Sequence, residues 1–284
     1  MEKQIAVITG TSTGLGLALT EKLASNGWKV YATMRNLEKG QSIRALQQSG
    51  LNIELLPLDV QSQDSVDHAI QTIIKQEGQI DLFVNNAGIG YIKTTEQSTE
   101  EEYINVFDIN TFGAIRCTKA VLPYMRERKQ GRVVAISSVG GLVGQPLNEI
   151  YCATKFALEG YYESLATYIT PYFGVEFMMV EPGGISSEFA NSVLAGIASN
   201  GGFEKDDFEQ IVNDYMGSRT DRPENIYQTP SEVAEVVFTQ LNTNPLPLRT
   251  RTSEWSERFC QYKTKKDPTG LLQTKAVVRE MLGK

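Results

Sequence analysis

Six short apolar runs, at residues 5–9, 29–32, 53–58, 80–85, 132–137 and 175–181, alternate with amphipathic stretches through the first 185 residues of the chain. Runs this apolar and β-branched suit strands buried on both faces. Parallel neighbours need a crossover, usually a helix, so the alternation predicts a doubly wound α/β architecture: a mostly parallel sheet with helices on both faces. In such sheets ligands bind beyond the carboxyl ends of the strands. No tandem repeat, low-complexity tract or Pro/Gly-rich linker interrupts these six runs, and the chain, 1–284, reads as a single domain. A seventh strand is expected at 248–252, after a helix that opens at Pro230 with Ser231 as its N-cap.

After Gly184 the rhythm changes. Residues 186–222 hold no strand run but carry Phe189, Val193, Leu194, Ile197 and Phe203 in a polar setting, the pattern of helices outside the sheet, in a helical segment expected over 186–229. Such a segment is either an amphipathic packing appendage or a substrate-covering lid, and its position directly after a strand end suits a lid.

Composition narrows the function classes. With 27 basic against 34 acidic residues the net charge is -7, and no global positive field exists to hold a nucleic acid. The single histidine, His68, lies in a polar helical stretch and is expected at the surface, while Cys117, Cys152 and Cys260 are far apart. Metal-ligand spacing is absent, and a Ser-His-Asp mechanism would rest on His68 alone, so no metal and no hydrolase chemistry is expected. No apolar run approaches the roughly 18 residues of a membrane span, and the first residues lack a secretory pattern, so no transmembrane segment and a cytoplasmic location are expected.

The sequence TGTSTGLG at residues 9–16 follows the first strand and opens a helix over 17–25. Gly10, Gly14 and Gly16 permit a tight turn, close approach to a pyrophosphate and tight helix-strand packing, and the helix N-terminus offers free N–H groups to phosphate. In this context the loop, with Leu15 between its last two glycines, reads as a Rossmann-type dinucleotide site. At the end of the second strand, where an acid would take the 2'-hydroxyl of NAD, stand Met34 and then Arg35. A guanidinium there favours a 2'-phosphate by roughly 1.5 to 3 kcal/mol, so NADP(H) is expected, with Ser12 as a second donor.

The sequence YCATK places Tyr151 and Lys155 four apart, on one face of a helix. Thirteen residues before Tyr151, Ser138 ends the fifth strand; NNAG at 85–88 ends the fourth, and Asn110 lies in DINTFG. With its TGxxxGxG loop, NNAG segment, serine, YxxxK and proline-glycine motif in this order, the chain resembles the short-chain dehydrogenase/reductase family over essentially its whole length. The segments GGLVGQPLNEIYCATKFALEG, PSEVAEV and DPTG are similar to the 17β-hydroxysteroid and retinol dehydrogenase branch.

The resemblance implies a catalytic tetrad of Asn110, Ser138, Tyr151 and Lys155. Ser138 and Tyr151 would bond a substrate carbonyl, Tyr151 acting as general acid or base; Lys155 would lower the tyrosine pKa and hold the nicotinamide ribose, and Asn110 would support a water-linked relay. It also implies that Asp59 and Val60 meet the adenine and that Asn86, Ala87 and Gly88 approach the ribose. Pro182, Gly183, Ile185 and Ser187 would border the nicotinamide, with serine at 187 where the family more often has threonine. Leu142, Val143 and Leu147 between Ser138 and Tyr151, with Phe189 in the lid, suggest an apolar pocket for a hydrophobic ketone, aldehyde or secondary alcohol. Steroid-specific relatives read a distant hydroxyl with a C-terminal histidine, and no histidine follows His68. The family commonly pairs subunits through helices at 101–129 and 151–172, implying a homodimer or homotetramer. A non-catalytic NADPH sensor and an epimerase or dehydratase on the same fold are the alternatives.

Overall fold

The computed structural model describes residues 4–187, 193, 197, 203, 206–220 and 227–282. Phe189 and Leu194, with nearly half of the expected lid at 186–229, lie outside the described residues.

Among the described residues seven parallel strands form one sheet in the order β3-β2-β1-β4-β5-β6-β7. They are β1 Ile5–Thr9, β2 Lys29–Met34, β3 Ile53–Pro57, β4 Leu82–Asn85, β5 Gly131–Ile136, β6 Val175–Glu181 and β7 Arg249–Arg251. The period of two explains why every central strand reads as an unbroken apolar run. Ile5 and Val7 of β1, Val133 and Ala135 of β5, and Phe177 and Met179 of β6 enter one core; Ala6, Ile8, Val134, Ile136, Met178 and Val180 enter the other.

Helices α1 Gly14–Ser25 and α2 Gln41–Gln48 supply the second core. The first is covered by α3 Gln63–Glu77, α5 Gly113–Arg128 and α6 Glu149–Phe173, and α4 Glu100–Phe107 precedes α5. Between β6 and β7 the chain forms α7 Glu209–Thr220 and α8 Pro230–Leu241, and beyond β7 it forms α9 Glu254–Thr264 and α10 Leu271–Leu282. Inside the first core Asn85 Nδ2 donates to the Tyr162 hydroxyl at 2.9 Å, and Thr118 shares a hydrogen bond with that hydroxyl at 2.8 Å, while Asn85 Oδ1 is buried without a partner among the described residues.

Two local details differ from expectation. Helix α1 starts at Gly14, three residues earlier than the apolar spacing indicates, because Gly14 and Gly16 carry no side chain to show a face. Helix α8 is capped by Thr229 and not by Ser231: the Thr229 hydroxyl accepts from Glu232 N at 3.2 Å, and the Glu232 carboxylate accepts from Thr229 N at 2.7 Å. Pro230 occupies the first helical position, where its missing N–H costs no hydrogen bond. This reciprocal cap predicts that Thr229→Ala lowers unfolding stability by about 1 kcal/mol, while Ser231→Ala changes it by less than about 0.5. Urea unfolding midpoints distinguish the two, and a larger loss for Ser231→Ala would assign the cap to the wrong residue.

Candidate active site

The order of strands reverses between β1 and β4, and the chain leaves their carboxyl ends in opposite directions, opening a crevice. Its two lips are tied together. Thr9 Oγ1 accepts from the backbone N of Asn86 and of Ala87, each at 3.0 Å, and Asn86 Nδ2 donates to the carbonyls of Thr9 and Gly10 at 2.8 and 2.9 Å. Gly16 lies so close under this knot that a Cβ would stand 2.3 Å from the Gly10 carbonyl oxygen. Gly10, with φ of 69°, turns where side-chain-bearing residues rarely go.

The resulting cleft has a volume of about 960 Å³. Every residue expected at the cofactor lines it: Gly10, Ser12, Gly14, Leu15, Gly16 and Arg35 on one side; Asp59, Val60, Asn86, Ala87 and Gly88 across the switch point. Tyr151, Lys155, Pro182, Gly183, Ile185 and Ser187 line its far end, with Ser138. The arrangement fits a dinucleotide. Thr13, the N-cap of α1, makes no side-chain capping bond and no acidic residue stands in the first turn, so a helix end of partial positive charge borders the cleft.

At the far end three side chains are drawn together by the ends of β5 and the start of α6. Ser138 Oγ accepts from Gly140 N at 3.0 Å, which leaves its own proton to donate, and Ser138 hydrogen-bonds Tyr151. Lys155 Nζ donates to the Ile136 carbonyl at 2.8 Å and lies 5.7 Å from the centre of the Tyr151 ring. A Cβ on Gly88 would sit 3.2 Å from Asn110 Oδ1 and 3.8 Å from Lys155 Nζ, placing all three in one corner.

Asn110 is held differently from its three partners. It sits in a wide helical turn, Asp108–Phe112, between α4 and α5, and is 1% exposed. Its Oδ1 accepts from Ile89 N at 2.8 Å while Nδ2 donates to Ile89 O at 2.9 Å and Thr154 Oγ1 at 3.2 Å. The side chain therefore clamps the loop after β4, and Asn110 is not among the residues lining the cleft.

Burial sets the protonation states. It pushes the Tyr151 phenol up to about 12, against a smaller downward pull from Ser138. It pushes the Lys155 ammonium down to about 8, opposed by Glu159. A lowering of Tyr151 by Lys155 does not emerge at this separation; desolvation outweighs it, and Tyr151 stands as the neutral acid.

The apolar wall is composed differently from the sequence reading. Leu142 and Val143 pack with Val139, Trp255, Phe259 and Cys260, and Leu147 packs with Ile92 and Val212, so all three stand behind the cleft surface. Val193, Ile197 and Phe203 join that second cluster. The cleft surface there is built by Tyr91, Ile92, Gln145, Asn148, Tyr215 and Trp255. Trp255 comes from beyond β7 and covers Gly183, where a Cβ would meet its ring at 2.8 Å. No local motif marks these residues. Lys39, four residues after Arg35, also lines the cleft, and the spacing could have indicated it. His68 is exposed, and among the described residues no cluster of His, Cys, Asp or Glu is placed to hold a metal.

Comparison with known proteins adds the family. A family model described as short chain dehydrogenase matches residues 4–198. The chain is similar to retinol dehydrogenase 8 of Bos taurus, 37% identical over 94% of this chain and 86% of the relative. It is also similar to 17-beta-hydroxysteroid dehydrogenase type 1 of Homo sapiens, 36% identical over 100% and 87% of the two chains. A crystal structure of a short-chain dehydrogenase from Streptomyces avermitilis superposes with a TM-score of 0.79 at 28% identity, covering 99% of each chain.

The buried ammonium carries a stability cost. Its folded-state pKa, about 8, lies below the unfolded value of 10.5, so the penalty is complete below pH 8 and fades as pH rises toward 10.5. Two to three pKa units correspond to about 3 kcal/mol, reduced to roughly 1–2 by the lost bond to Ile136. Lys155→Met is therefore expected to raise thermal stability at pH 7, with the gain shrinking at pH 10. A variant less stable than the parent at pH 7 would show the ammonium to be well solvated in place.

Proposed function

Because the chain belongs to the short-chain dehydrogenase family, we propose that it is an NADP(H)-dependent oxidoreductase, with Tyr151 as its general acid or base. Its substrate in this reading is a hydrophobic ketone or aldehyde, or the matching secondary alcohol. The observation that carries this is the hydrogen-bonded Ser138 and Tyr151 pair, with Lys155 behind it, at the end of a cleft whose other end is a glycine loop and Arg35. When bound, the nicotinamide supplies the hydride. The protein's own residues orient the substrate and move the proton.

In reduction, Ser138 donates a hydrogen bond to the carbonyl oxygen and Tyr151 delivers its phenolic proton there. A neutral phenol suits this direction, since oxidation needs the phenolate as base. Lys155, one of whose three donors is committed to Ile136, offers the others to the ribose. Asn110 acts through the loop it clamps. At the adenosine end, Arg35 and Lys39 favour a 2'-phosphate, and Met34 offers no carboxylate to a 2'-hydroxyl.

The names of the relatives, retinol and 17-beta-hydroxysteroid dehydrogenases, support a large apolar alcohol or carbonyl. Tyr91, Ile92, Val193, Tyr215 and Trp255 form a suitable wall. In this reading the chain is one domain and the segment 186–229 is a lid over that wall. Asn148 Nδ2 donates to the Tyr215 hydroxyl at 2.8 Å, linking α7 to the start of α6. Exposed Ile104, Phe112, Phe156, Tyr168 and Tyr172 on and between α4 and α6 support assembly as a homodimer or homotetramer. Among the described residues no helix is long and apolar enough to cross a membrane.

Tyr151→Phe is expected to lower kcat for carbonyl reduction by about 10²–10⁴ while NADPH affinity, read by fluorescence titration, stays within about threefold. Unchanged function in this variant would favour an NADPH sensor, and bound cofactor without net NADPH consumption would favour an epimerase. Arg35→Ala is expected to reduce the kcat/KM ratio of NADPH over NADH by about tenfold, given its exposure. A parent enzyme that prefers NADH would sink the cofactor assignment.

A further inference from the structure

Behind the strand ends that carry Ser138 and Pro182, two carboxyl groups meet in the interior. Glu159, one turn along α6 from Lys155, is 4% exposed, and Glu181, the last residue of β6, is 0% exposed. Each takes an arginine from β7 on its Oε2. Arg249 Nε donates to Glu159 Oε2 at 3.0 Å, and Arg251 Nη1 donates to Glu181 Oε2 at 2.8 Å. Two residues apart on one strand, the arginines share a face, and Arg249 Nε lies only 3.5 Å from Glu181 Oε1 as well. Their other ends are used elsewhere: Arg249 reaches Glu163, and Arg251 reaches Glu257 and the Pro268 carbonyl.

Three atoms remain unaccounted for. Glu159 Oε1, Glu181 Oε1 and Ser137 Oγ are buried without a donor or acceptor among the described residues. They sit together, because a Cβ on Gly141 would lie 2.6 Å from Ser137 Oγ and 3.2 Å from Glu159 Oε1, and the Glu159 carboxyl faces Glu181. Two ionised carboxylates side by side in the interior repel, and the arginines on their Oε2 atoms leave both Oε1 atoms without a hydrogen bond. One proton satisfies all three atoms: the acid donates to its partner carboxylate, and the Ser137 hydroxyl donates there too.

We propose that Glu159 and Glu181 share a single proton and, through Ser137 and the end of β6, act as positioning residues for the catalytic edge. The coupling to the site is short. Ser137 N donates to Val180 O at 2.8 Å and Val139 N donates to Pro182 O at 3.0 Å, so the backbone on both sides of Ser138 is bonded to the residues that flank Glu181. Glu159 also raises the ammonium of Lys155. Burial raises both glutamates, Glu181 to about 9, against the pull of Arg249 and Arg251. Ser137, Lys155, Glu163, Glu257 and the Cys260 thiol complete the groups that face the pair. Loss of the shared proton at alkaline pH would leave two negative charges under the strand ends and loosen Ser138. The shared proton is independent of the proposed oxidoreductase activity; the positioning role rests on it.

The test has two readouts. Infrared difference spectra at pH 7 between the parent protein and Glu181→Gln are expected to show the C=O stretch of a protonated carboxyl group, lost in the variant. Absence of that band overturns the shared proton. In Glu181→Gln the amide supplies a permanent donor to Glu159, so kcat/KM for carbonyl reduction at pH 7 is expected within about threefold of the parent, and the loss of kcat/KM between pH 7 and 9.5 at least about threefold smaller. Equal alkaline losses overturn the positioning role. If Glu181→Gln does not fold, Glu159→Gln serves, because either carboxyl can be the acid. A parent protein without turnover would overturn the proposed function and the positioning role together, while the infrared band still decides the proton.

Discussion

The site depends on the knot between the first and fourth strands. Thr9 and Asn86 satisfy four backbone groups across the point where the sheet reverses, and Gly16 fits beneath them with no room for a side chain. Buried backbone groups need partners, and a loop at a strand end has no ladder to provide them. Here two polar side chains do so, which holds the glycine loop against β4 and keeps the N-terminus of α1 at the crevice. This bond set carries the pairing of β1 with β4 beyond the last rung of their ladder and into the cleft.

The far end of the cleft is built on an opposite compromise. Lys155 and Ser138 are nearly removed from water, and Glu159 and Glu181 lie deeper still. Burying these groups opposes folding, and the two apolar cores on either side of the sheet supply the surplus that tolerates it. The result is control over protons: desolvation holds the Tyr151 phenol neutral and pushes the Lys155 ammonium down to about 8, still charged at pH 7. The arginines of β7, whose strand is otherwise a short edge, neutralise the interior charge from the side away from the cleft.

Much of the site was legible in the chain because the chemistry is local. The glycine loop, Arg35, the segment at 85–88, Ser138 and the Tyr151 and Lys155 pair each lie at a strand end or on one helix turn, where spacing alone fixes the neighbourhood. The apolar wall was less legible. Leu142, Val143 and Leu147 have the right character and are near Ser138 in sequence, yet they pack into clusters behind the cleft, and Trp255 and Tyr215 from distant segments form its surface. Asn110 was found by its motif, but its clamp on Ile89 could not be, since the wide turn that aims it leaves no mark in the residue pattern.

Sequence by itself determined the parallel sheet, its two-sided burial and the end at which the cleft opens, because hydrophobic periodicity and crossover length are properties of consecutive residues. Tertiary structure alone decided which polar groups would be stripped of water and which would meet. Glu159, Glu181, Arg249 and Arg251 read as ordinary charged residues along the chain, and only the packing of α6, β6 and β7 makes them one buried network. The physical reason is desolvation: its magnitude depends on everything that surrounds a group, and no window of consecutive residues contains that information.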